Sequence, residues 1–307
     1  MALLEIRGLT VAFAQYAGGW RRRTIQAVRD IELDVEAGEI VAVVGSSGSG
    51  KSLLAHAILG ILPPNASMTG SVRYDGEPLT PERLDKLRGR ELALIPQSVA
   101  YLDPLMRVGE QVRHSAAGGD PAESQRRAFR RLGLPEEAAR RYPFQLSGGM
   151  ARRVLVSTAV VSGARLIVAD EPTPGLHEDV VRETLGQFRE LADSGCGVLL
   201  ITHDIASALT VADRVAVLYA GTTVEIADAG DFAGEGDALR HPYARALWRA
   251  LPQNAFEPIP GHQPSPDRLP PGCLFAPRCA LATAACEQAR PEMRQLRGGK
   301  ARCIHAT

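Results

Sequence analysis

The sequence predicts an α/β protein built around a mainly parallel β-sheet. Three largely apolar runs of strand length, at residues 40–44, 165–169 and 197–201, each end at a polar or glycine-rich segment. A strand-length run that is apolar throughout is typical of a strand covered on both faces. Because ligands bind at the carboxyl ends of parallel strands, the segments after these runs are the first candidates for function.

The first run leads into a glycine-rich loop with the spacing G-x-x-x-x-G-K-[ST]. The loop consists of Gly45, Ser46, Ser47, Gly48, Ser49, Gly50, Lys51 and Ser52. Its glycines allow backbone N–H groups to point inward at an anion, and the helix predicted at 53–62 adds the positive end of its dipole. Lys51 is expected to reach the β- and γ-phosphates, and Ser52 to ligate Mg²⁺. The loop therefore predicts a nucleoside triphosphate site rather than a chance glycine-rich turn.

Before the loop, residues 3–13 and 27–35 alternate in polarity and predict two edge strands of a small antiparallel sheet. The base of a bound nucleotide needs an aromatic platform, which Phe13 or Tyr16 could supply by stacking. Simple packing of both rings within the small sheet is the alternative.

From residue 98 to residue 163 the composition becomes helical and rich in arginine, which predicts an inserted helical subdomain. The subdomain ends in Ser147, Gly148 and Gly149, just before a helix predicted at 151–161. This is a second helix N-terminus suited to phosphate. Since the chain has one P-loop, the second site makes sense if it serves a nucleotide held by another subunit.

The second and third buried runs are followed by acidic and histidine side chains. Asp170 and Glu171 come directly after one strand, where Mg²⁺ is held in P-loop enzymes, and Glu171 is placed to polarise the attacking water. Helix capping is the structural alternative for this acidic pair. His203 lies after the third strand, at the same predicted sheet edge, which favours a functional histidine over a structural one. The remaining strands are predicted at 70–74, 91–95, 215–219 and 223–226.

The composition is that of a globular protein of 307 residues, with 45% hydrophobic and 23% charged residues. Lys+Arg 35 balances Asp+Glu 35, so charge gives no case for nucleic-acid binding. No apolar run approaches the ~20 residues that span a bilayer, and the first residues lack the layout of a signal peptide. We therefore expect a cytosolic protein, in which structural disulfides are rare.

Four of the five cysteines crowd into the C-terminal tail, with the spacing C-x5-C-x6-C-x16-C. They follow residues 252–271, which carry seven of the 21 prolines and predict an extended linker. The spacing matches neither common zinc modules nor bacterial ferredoxins, so an iron–sulfur cluster, zinc and no ligand all stay open. The four are Cys273, Cys279, Cys286 and Cys303. The fifth, Cys196, is predicted to be a small core residue.

Together these motifs resemble the ATP-binding subunit of an ABC transporter, over residues 3–235. The resemblance implies that residues 45–52 are the Walker A loop and 146–150 the signature sequence, and that two subunits bind each ATP between them, head to tail. It implies ATP and Mg²⁺ as ligands, with Ser52, Gln97 and Asp170 at the metal. Glu171 would be the catalytic glutamate, His203 the switch histidine and Gln97 the Q-loop glutamine that senses the membrane subunit.

The C-terminal tail indicates which group of ABC transporters the chain resembles. Residues 240–247 and 272–279 look like the extension found in importers of oligopeptides, dipeptides and nickel. This implies a cassette over 1–235, an extension over 236–307 and ATP hydrolysis coupled to import of a peptide or of nickel or its chelate. The implied partners are a second ATPase, identical or different, two membrane permeases and an extracytoplasmic solute-binding protein, with no nucleic acid. The ATPase would lie peripherally on the cytoplasmic face of the membrane. In the peptide-importer family, some members with similar tails hold a four-iron, four-sulfur cluster.

Two segments depart from the family pattern. The family usually has Ser-Ala-Leu-Asp after Walker B, where this chain has Pro174-Gly175-Leu176-His177. The signature continues as Ala151-Arg152-Arg153, where Arg-Gln-Arg is common. The intact Walker A loop, Glu171 and His203 still predict hydrolysis.

The rival functions are a cassette ATPase acting on DNA or ribosomes, an exporter subunit, and a metal- or cluster-binding regulator whose cassette is a passive dimerisation scaffold, against which the intact Glu171 argues. A single P-loop, no sustained heptad run and no membrane helices favour the import ATPase. In that reading, the surface at residues 97–103 is expected to receive a short helix of the membrane subunit.

Overall fold

The computed structural model describes residues 2–16 and 22–307. The strands are β1 (Leu4–Tyr16), β2 (Arg22–Val35), β3 (Ile40–Gly45), β4 (Ala66–Tyr74), β5 (Glu77–Pro78), β6 (Leu92–Ile95), β7 (Leu166–Asp170), β8 (Gly197–Ile201), β9 (Arg214–Tyr219), β10 (Thr222–Asp228), β11 (Arg294–Leu296) and β12 (Gly299–Ala301). The helices are α1 (Lys51–Ile58), α2 (Pro81–Leu87), α3 (Val108–His114), α4 (Pro121–Arg131), α5 (Gly148–Val161), α6 (Glu178–Asp193), α7 (Ile205–Leu209), α8 (Pro242–Arg249) and α9 (Ala284–Gln288). No helix in the described ranges is both long and apolar enough to cross a membrane.

The chain divides into two compact units. The first comprises residues up to 4, 35–40 and 74–212, and the second comprises residues 5–34, 41–73 and 213–307. The first unit therefore contains Glu171, His203 and the predicted signature segment, and the second contains the glycine-rich loop and the cysteine-containing tail.

In the first unit, β6, β7 and β8 run parallel, with β7 between the other two. Ile95 pairs with Ala169, and Asp170 pairs with Ile201. Every residue of β7 and β8 is buried, as the continuous apolar runs predict. This register brings the segments that follow the three strands to one edge of the sheet.

The helical part of the first unit packs α3, α4 and α5 around a common apolar core. Asp120 caps α4 and Pro121 opens it, as expected for a sharp helix start. Leu102 lies in this core at 4% exposure, so the expectation that it forms part of a docking surface is wrong. Its apolar side chain is more stable among the helices than in water.

In the second unit, β3 pairs in parallel with β9, and β9 pairs with β10 in an antiparallel arrangement. The small sheet places β1 between β2 and β4, so β1 is a central strand rather than the predicted edge strand. Pairing with β4 satisfies the second backbone edge of β1, a contact that local alternation cannot reveal.

The C-terminal extension adds two strands that its sequence did not predict. Strand β12 pairs with β10, and β11 pairs with β12. The guanidinium of Arg240, whose side chain is 2% exposed, pairs with Glu225 and Asp231 and donates to the Leu296 carbonyl. This buried arginine ties β10, α8 and β11 together.

Candidate functional site

Two glycines shape the loop after β3. A Cβ at Gly45 would lie 2.3 Å from the carbonyl oxygen of Leu218, so only glycine fits against β9. Gly50 has a φ of 90°, in the left-handed region, and stands at the start of α1. The sequence therefore folds the loop tightly between strand and helix.

The loop carries donors suited to phosphate. The amides of Ser47, Gly48 and Gly50 have no hydrogen-bond partner among the described residues. The ammonium of Lys51 donates to the carbonyls of Gly45 (2.8 Å) and Ser46 (3.1 Å). These amides and the ammonium form a donor set that fits a triphosphate.

Ser49 acts within the loop. Its side chain is fully buried, and its amide donates to the Ser46 carbonyl at 3.2 Å. Its hydroxyl has no partner in the part of the chain that the structure describes. The Ser49 amide thus forms a hydrogen bond within the loop, unlike the three amides that are left for a phosphate.

At the sheet edge of the first unit, the His203 side chain meets the Glu171 carboxylate. His203 Nδ1 lies 3.0 Å from Oε1 and 2.9 Å from Oε2 of Glu171. A carboxylate can only accept, so Nδ1 must carry the hydrogen. The Glu171 side chain is 8% exposed and that of His203 is 65% exposed. A nearly buried carboxylate oriented by an accessible imidazole is suited to hold and polarise a water molecule.

The Glu171 backbone is unusual and is held on both sides. Its φ is 49°, in the left-handed region, which a non-glycine residue occupies only when its surroundings impose it. Its amide donates to the Ile201 carbonyl (2.9 Å), and its carbonyl accepts from Arg152 (2.9 Å). The same guanidinium also donates to the carbonyl of Pro96 at 3.4 Å.

Sequence reasoning did not assign Arg152 to the site. Burial lowers the pKa of its guanidinium, and the carboxylates of Glu171 and Asp170 partly offset this. The available signal was the departure from the common Arg-Gln-Arg pattern, because Arg152 stands where glutamine is common. Arg152 joins helix α5 to the backbone of Glu171.

The predicted metal ligands lie in both units. Asp170 is buried at the end of β7, and Gln97 is exposed two residues beyond the end of β6. Ser52 lies in α1 of the second unit. A magnesium site made by these three residues therefore stays a prediction.

The signature segment begins α5. The Ser147 hydroxyl caps this helix by accepting from the Met150 amide at 3.3 Å. A Cβ at Gly148 would meet nothing within 4 Å, and one at Gly149 would meet atoms no closer than 3.5 Å. The helix start is thus open enough for a phosphate group to approach. His177, at the departure from the family pattern, occupies the N-cap position of α6 without a side-chain capping hydrogen bond, and its side chain is 82% exposed.

The aromatic platform stays a prediction. Phe13 is half-buried in β1. The Tyr16 side chain lies outside the described residues.

The cysteines are all free thiols. Cys196 is buried, donates to the Ala164 carbonyl and has a pKa raised to about 11 by burial, which confirms a core residue. Burial also raises the pKa of the tail thiols Cys273, Cys279 and Cys303, and the Cys286 thiol adds to each of these shifts. Nevertheless, no group of three or more His, Cys, Asp or Glu residues in the described ranges is arranged to hold a metal ion.

Sequence profiles of two families match the chain. The ABC transporter profile matches residues 28–174, and the profile of the oligopeptide/dipeptide transporter C-terminal region matches residues 224–286. A protein of Brucella melitensis, provisionally named a peptide import ATP-binding protein, is 37% identical over 98% of this chain and 94% of its own length. In Escherichia coli, the oligopeptide transport ATP-binding protein OppD is 35% identical over 94% of this chain and 89% of its own length. The dipeptide transport ATP-binding protein DppD is also 35% identical, over 99% and 97%.

A solved structure is similar as well. The dimeric ATP-binding cassette MJ0796, bound to ADP and Pi in a post-hydrolysis state, has a TM-score of 0.65 and 26% sequence identity. The match covers 74% of this chain and 98% of that chain. The predicted fold class, a P-loop cassette with an extension, is confirmed. The chain belongs to the ABC transporter ATPases, in the oligopeptide/dipeptide transporter branch.

Proposed function

We propose that this ATPase powers the uptake of dipeptides or oligopeptides through an ABC importer. The observation that carries the proposal is the Glu171–His203 pair at the sheet edge, in a chain that also has the extension typical of this branch. An intact base and imidazole support turnover rather than a passive cassette. The peptide-transport names of the relatives support peptide as the solute, and none of the reported names refers to nickel.

The proposed catalytic cycle assigns each motif a task. The loop amides and Lys51 bind the phosphates. Ser52, Gln97 and Asp170 would hold Mg²⁺, which would supply positive charge to neutralise the phosphates. Glu171 accepts the proton of the attacking water while His203 keeps the carboxylate oriented. Ser147, Gly148 and Gly149 bind the ATP of a second subunit, since the start of α5 is open. Phe13 or Tyr16 stacks on the base.

The partners follow from the import function. A second ATPase, identical or different, would supply the opposing half of each site. Two membrane permeases would hold the pair at the cytoplasmic face of the membrane, and an extracytoplasmic protein would deliver the solute. No nucleic acid is involved. The extension over 236–307 is a separate segment added to the cassette over 1–235, and residues 98–163 form its helical subdomain.

A cluster in the tail is a separate proposal. Cys273, Cys279, Cys286 and Cys303 would bind a four-iron, four-sulfur cluster as thiolates, the ligands that such clusters use. The absence of a preformed ion site in the described ranges weighs against it. Anaerobic purification followed by iron and sulfide analysis tests the proposal. Brown protein with about four irons per chain would support it, while colourless protein, with or without zinc, would refute it.

The import function is tested by reconstitution. We would purify the chain with its membrane partners, place the complex in liposomes with the binding protein, and measure ATP hydrolysis with a dipeptide, an oligopeptide or a nickel salt. Peptide-stimulated hydrolysis that the Glu171→Gln variant lacks is the expected result. Stimulation by nickel alone, or co-purification with ribosomes or DNA in place of permeases, would overturn the peptide assignment.

A further inference from the structure

The linker of the extension reaches the glycine-rich loop. Gln263 is half-buried, and its Oε1 accepts from the Ser46 hydroxyl at 2.6 Å and from the Ala220 amide at 3.4 Å. A backbone N–H can only donate, so the amide of Ala220 identifies the facing Gln263 atom as the oxygen. The loop is thus in contact with a residue that lies 217 positions after Ser46 in the sequence.

The linker is fixed on both sides of Gln263. The Arg278 guanidinium donates to the carbonyls of Ile259 (3.0 Å) and Pro260 (2.7 Å). The Arg23 guanidinium donates to the Asp267 carbonyl at 2.8 Å. Prolines at 260, 264 and 266 restrict the backbone from the first anchor to the second. Gln263 is therefore presented by a stiff segment, and little additional entropy is lost when it contacts the loop.

A cluster of aromatic rings supports the same side of the loop. Tyr243 of α8 lies 4.4 Å from the Tyr219 ring and 5.3 Å from Phe275, measured between centroids. Burial raises the pKa of Tyr243, and the hydroxyl and amide of Ser46 oppose this rise, so the phenol lies against the loop. The Tyr243 hydroxyl makes no hydrogen bond of normal geometry within the described ranges. The extension thus faces Ser46 through both Gln263 and Tyr243.

Ser46 also holds Lys51, the predicted phosphate-binding lysine. Its carbonyl accepts from Lys51 Nζ at 3.1 Å and from the Ser49 amide at 3.2 Å, while its hydroxyl is held by Gln263. A shift of Ser46 would therefore move both the lysine ammonium and the loop backbone. Phosphate binding depends on these donors converging on one anion.

We propose that the C-terminal extension is part of the nucleotide site, with Gln263 acting as a positioning residue that sets the P-loop through Ser46. The inference rests on ATP binding at this loop. If the ordered linker stabilises the ATP-binding conformation of the loop, then ATP binding must stabilise the ordered linker. Thermodynamic linkage requires the two coupling free energies to be equal. Arg278, which holds the linker, is followed directly by Cys279. A well-ordered cysteine segment therefore helps to keep the linker ordered.

The test is a double-mutant cycle on the full-length chain with MgATP as the ligand. Gln263→Ala should raise the Kd for MgATP about 5- to 10-fold, the usual effect of one hydrogen bond, and should raise KM with kcat within about twofold. Ser46→Ala should have a similar effect, and the double variant should be no weaker than either single variant. Gln253→Ala, an exposed glutamine of the same linker, is the matched control and should bind as wild type does.

Several outcomes would overturn the proposal. One is an unchanged Kd in Gln263→Ala, and another is a double variant whose loss is the product of the two single losses. Hydrogen exchange of the unmodified chain gives a check that needs no variant. MgATP should slow exchange at residues 259–268, and unchanged exchange there would reject the coupling. Failure of the wild-type chain to bind MgATP would instead reject the proposed function.

Discussion

His203 Nδ1 lies within 3.0 Å of both carboxylate oxygens of Glu171, so one imidazole N–H fixes the direction of the proposed general base. Glu171→Gln keeps the size of the side chain but removes its basicity. We expect it to retain ATP binding and to lose turnover by about 10²–10⁴-fold. ATPase assays on the assembled transporter would check this, and near-normal activity would remove Glu171 from the mechanism.

The contact between Arg152 and the Glu171 carbonyl predicts a second kinetic effect. Arg152→Ala should lower kcat about tenfold, because the strained Glu171 backbone loses a charged donor. ATP affinity should not change. Arg152→Gln, the residue common in the family, should recover part of the rate, and Arg130→Ala on an exposed face of α4 is the control. Equal loss in all three variants would contradict this role.

Lys51→Ala should act on nucleotide binding itself. The cation near the phosphates is lost, so we expect the Kd for MgATP to rise by at least about tenfold, as for removal of a charged hydrogen bond. Calorimetric titration of the purified chain gives the measurement. Unchanged affinity would show that the loop does not bind the phosphates through this side chain.

The structure identifies two exposed apolar residues for the expected docking surface, in place of the buried Leu102. Tyr101 is 57% exposed and Leu105 is 87% exposed, whereas Leu102 is buried. Tyr101→Glu or Leu105→Glu should spare ATP binding and abolish peptide-stimulated hydrolysis, because a charge would be desolvated on docking. Met68→Glu, at another exposed apolar position, is the control. Crosslinks from Tyr101 that reach only the second ATPase would contradict the assignment.

His241 predicts a dependence of stability on pH. Full burial lowers the pKa of its imidazole from 6.5 to about 3, while Nδ1 accepts from the Tyr243 amide. At pH values between about 3 and 6.5, the unfolded chain therefore binds a proton at His241 that the folded chain does not bind. The contribution to stability is complete above about pH 6.5 and falls by up to about 1.4 kcal/mol per pH unit below it.

His241→Asn keeps a capping oxygen but cannot titrate. Unfolding curves from pH 8 to pH 5 should show the wild type losing stability relative to this variant. Burial raises the pKa of the neighbouring Glu225, and its contribution, present in both proteins, cancels in the difference. Parallel profiles would show that His241 is hydrated or charged in the folded chain.

The parts of the fold that the sequence could predict are those fixed by local chemistry. Strands β3, β7 and β8 are buried on both faces, so their residues are apolar throughout. The loop at 45–52 has a spacing that phosphate binding imposes. The edge positions of Glu171 and His203 followed from strand direction alone.

The missed features depend on distant contacts. Strands β11 and β12 are three residues each and largely polar, and their stability comes from pairing with β10. The contact between Gln263 and Ser46 joins residues 217 positions apart and leaves no periodic trace in the sequence. Leu102 resembles any loop leucine until the helices pack around it.

The pairing of β12 with β10 also has a consequence for solubility. Ala301 pairs with Glu225, and the Arg302 amide donates to the Val224 carbonyl at 2.8 Å. A cassette truncated after residue 235 would present the free edge of β10 to other chains, together with the carboxylate of Glu225 stripped of Arg240. Exposed strand edges template intermolecular pairing. We therefore expect the extension to protect the cassette from aggregation, independently of any ligand of its cysteines.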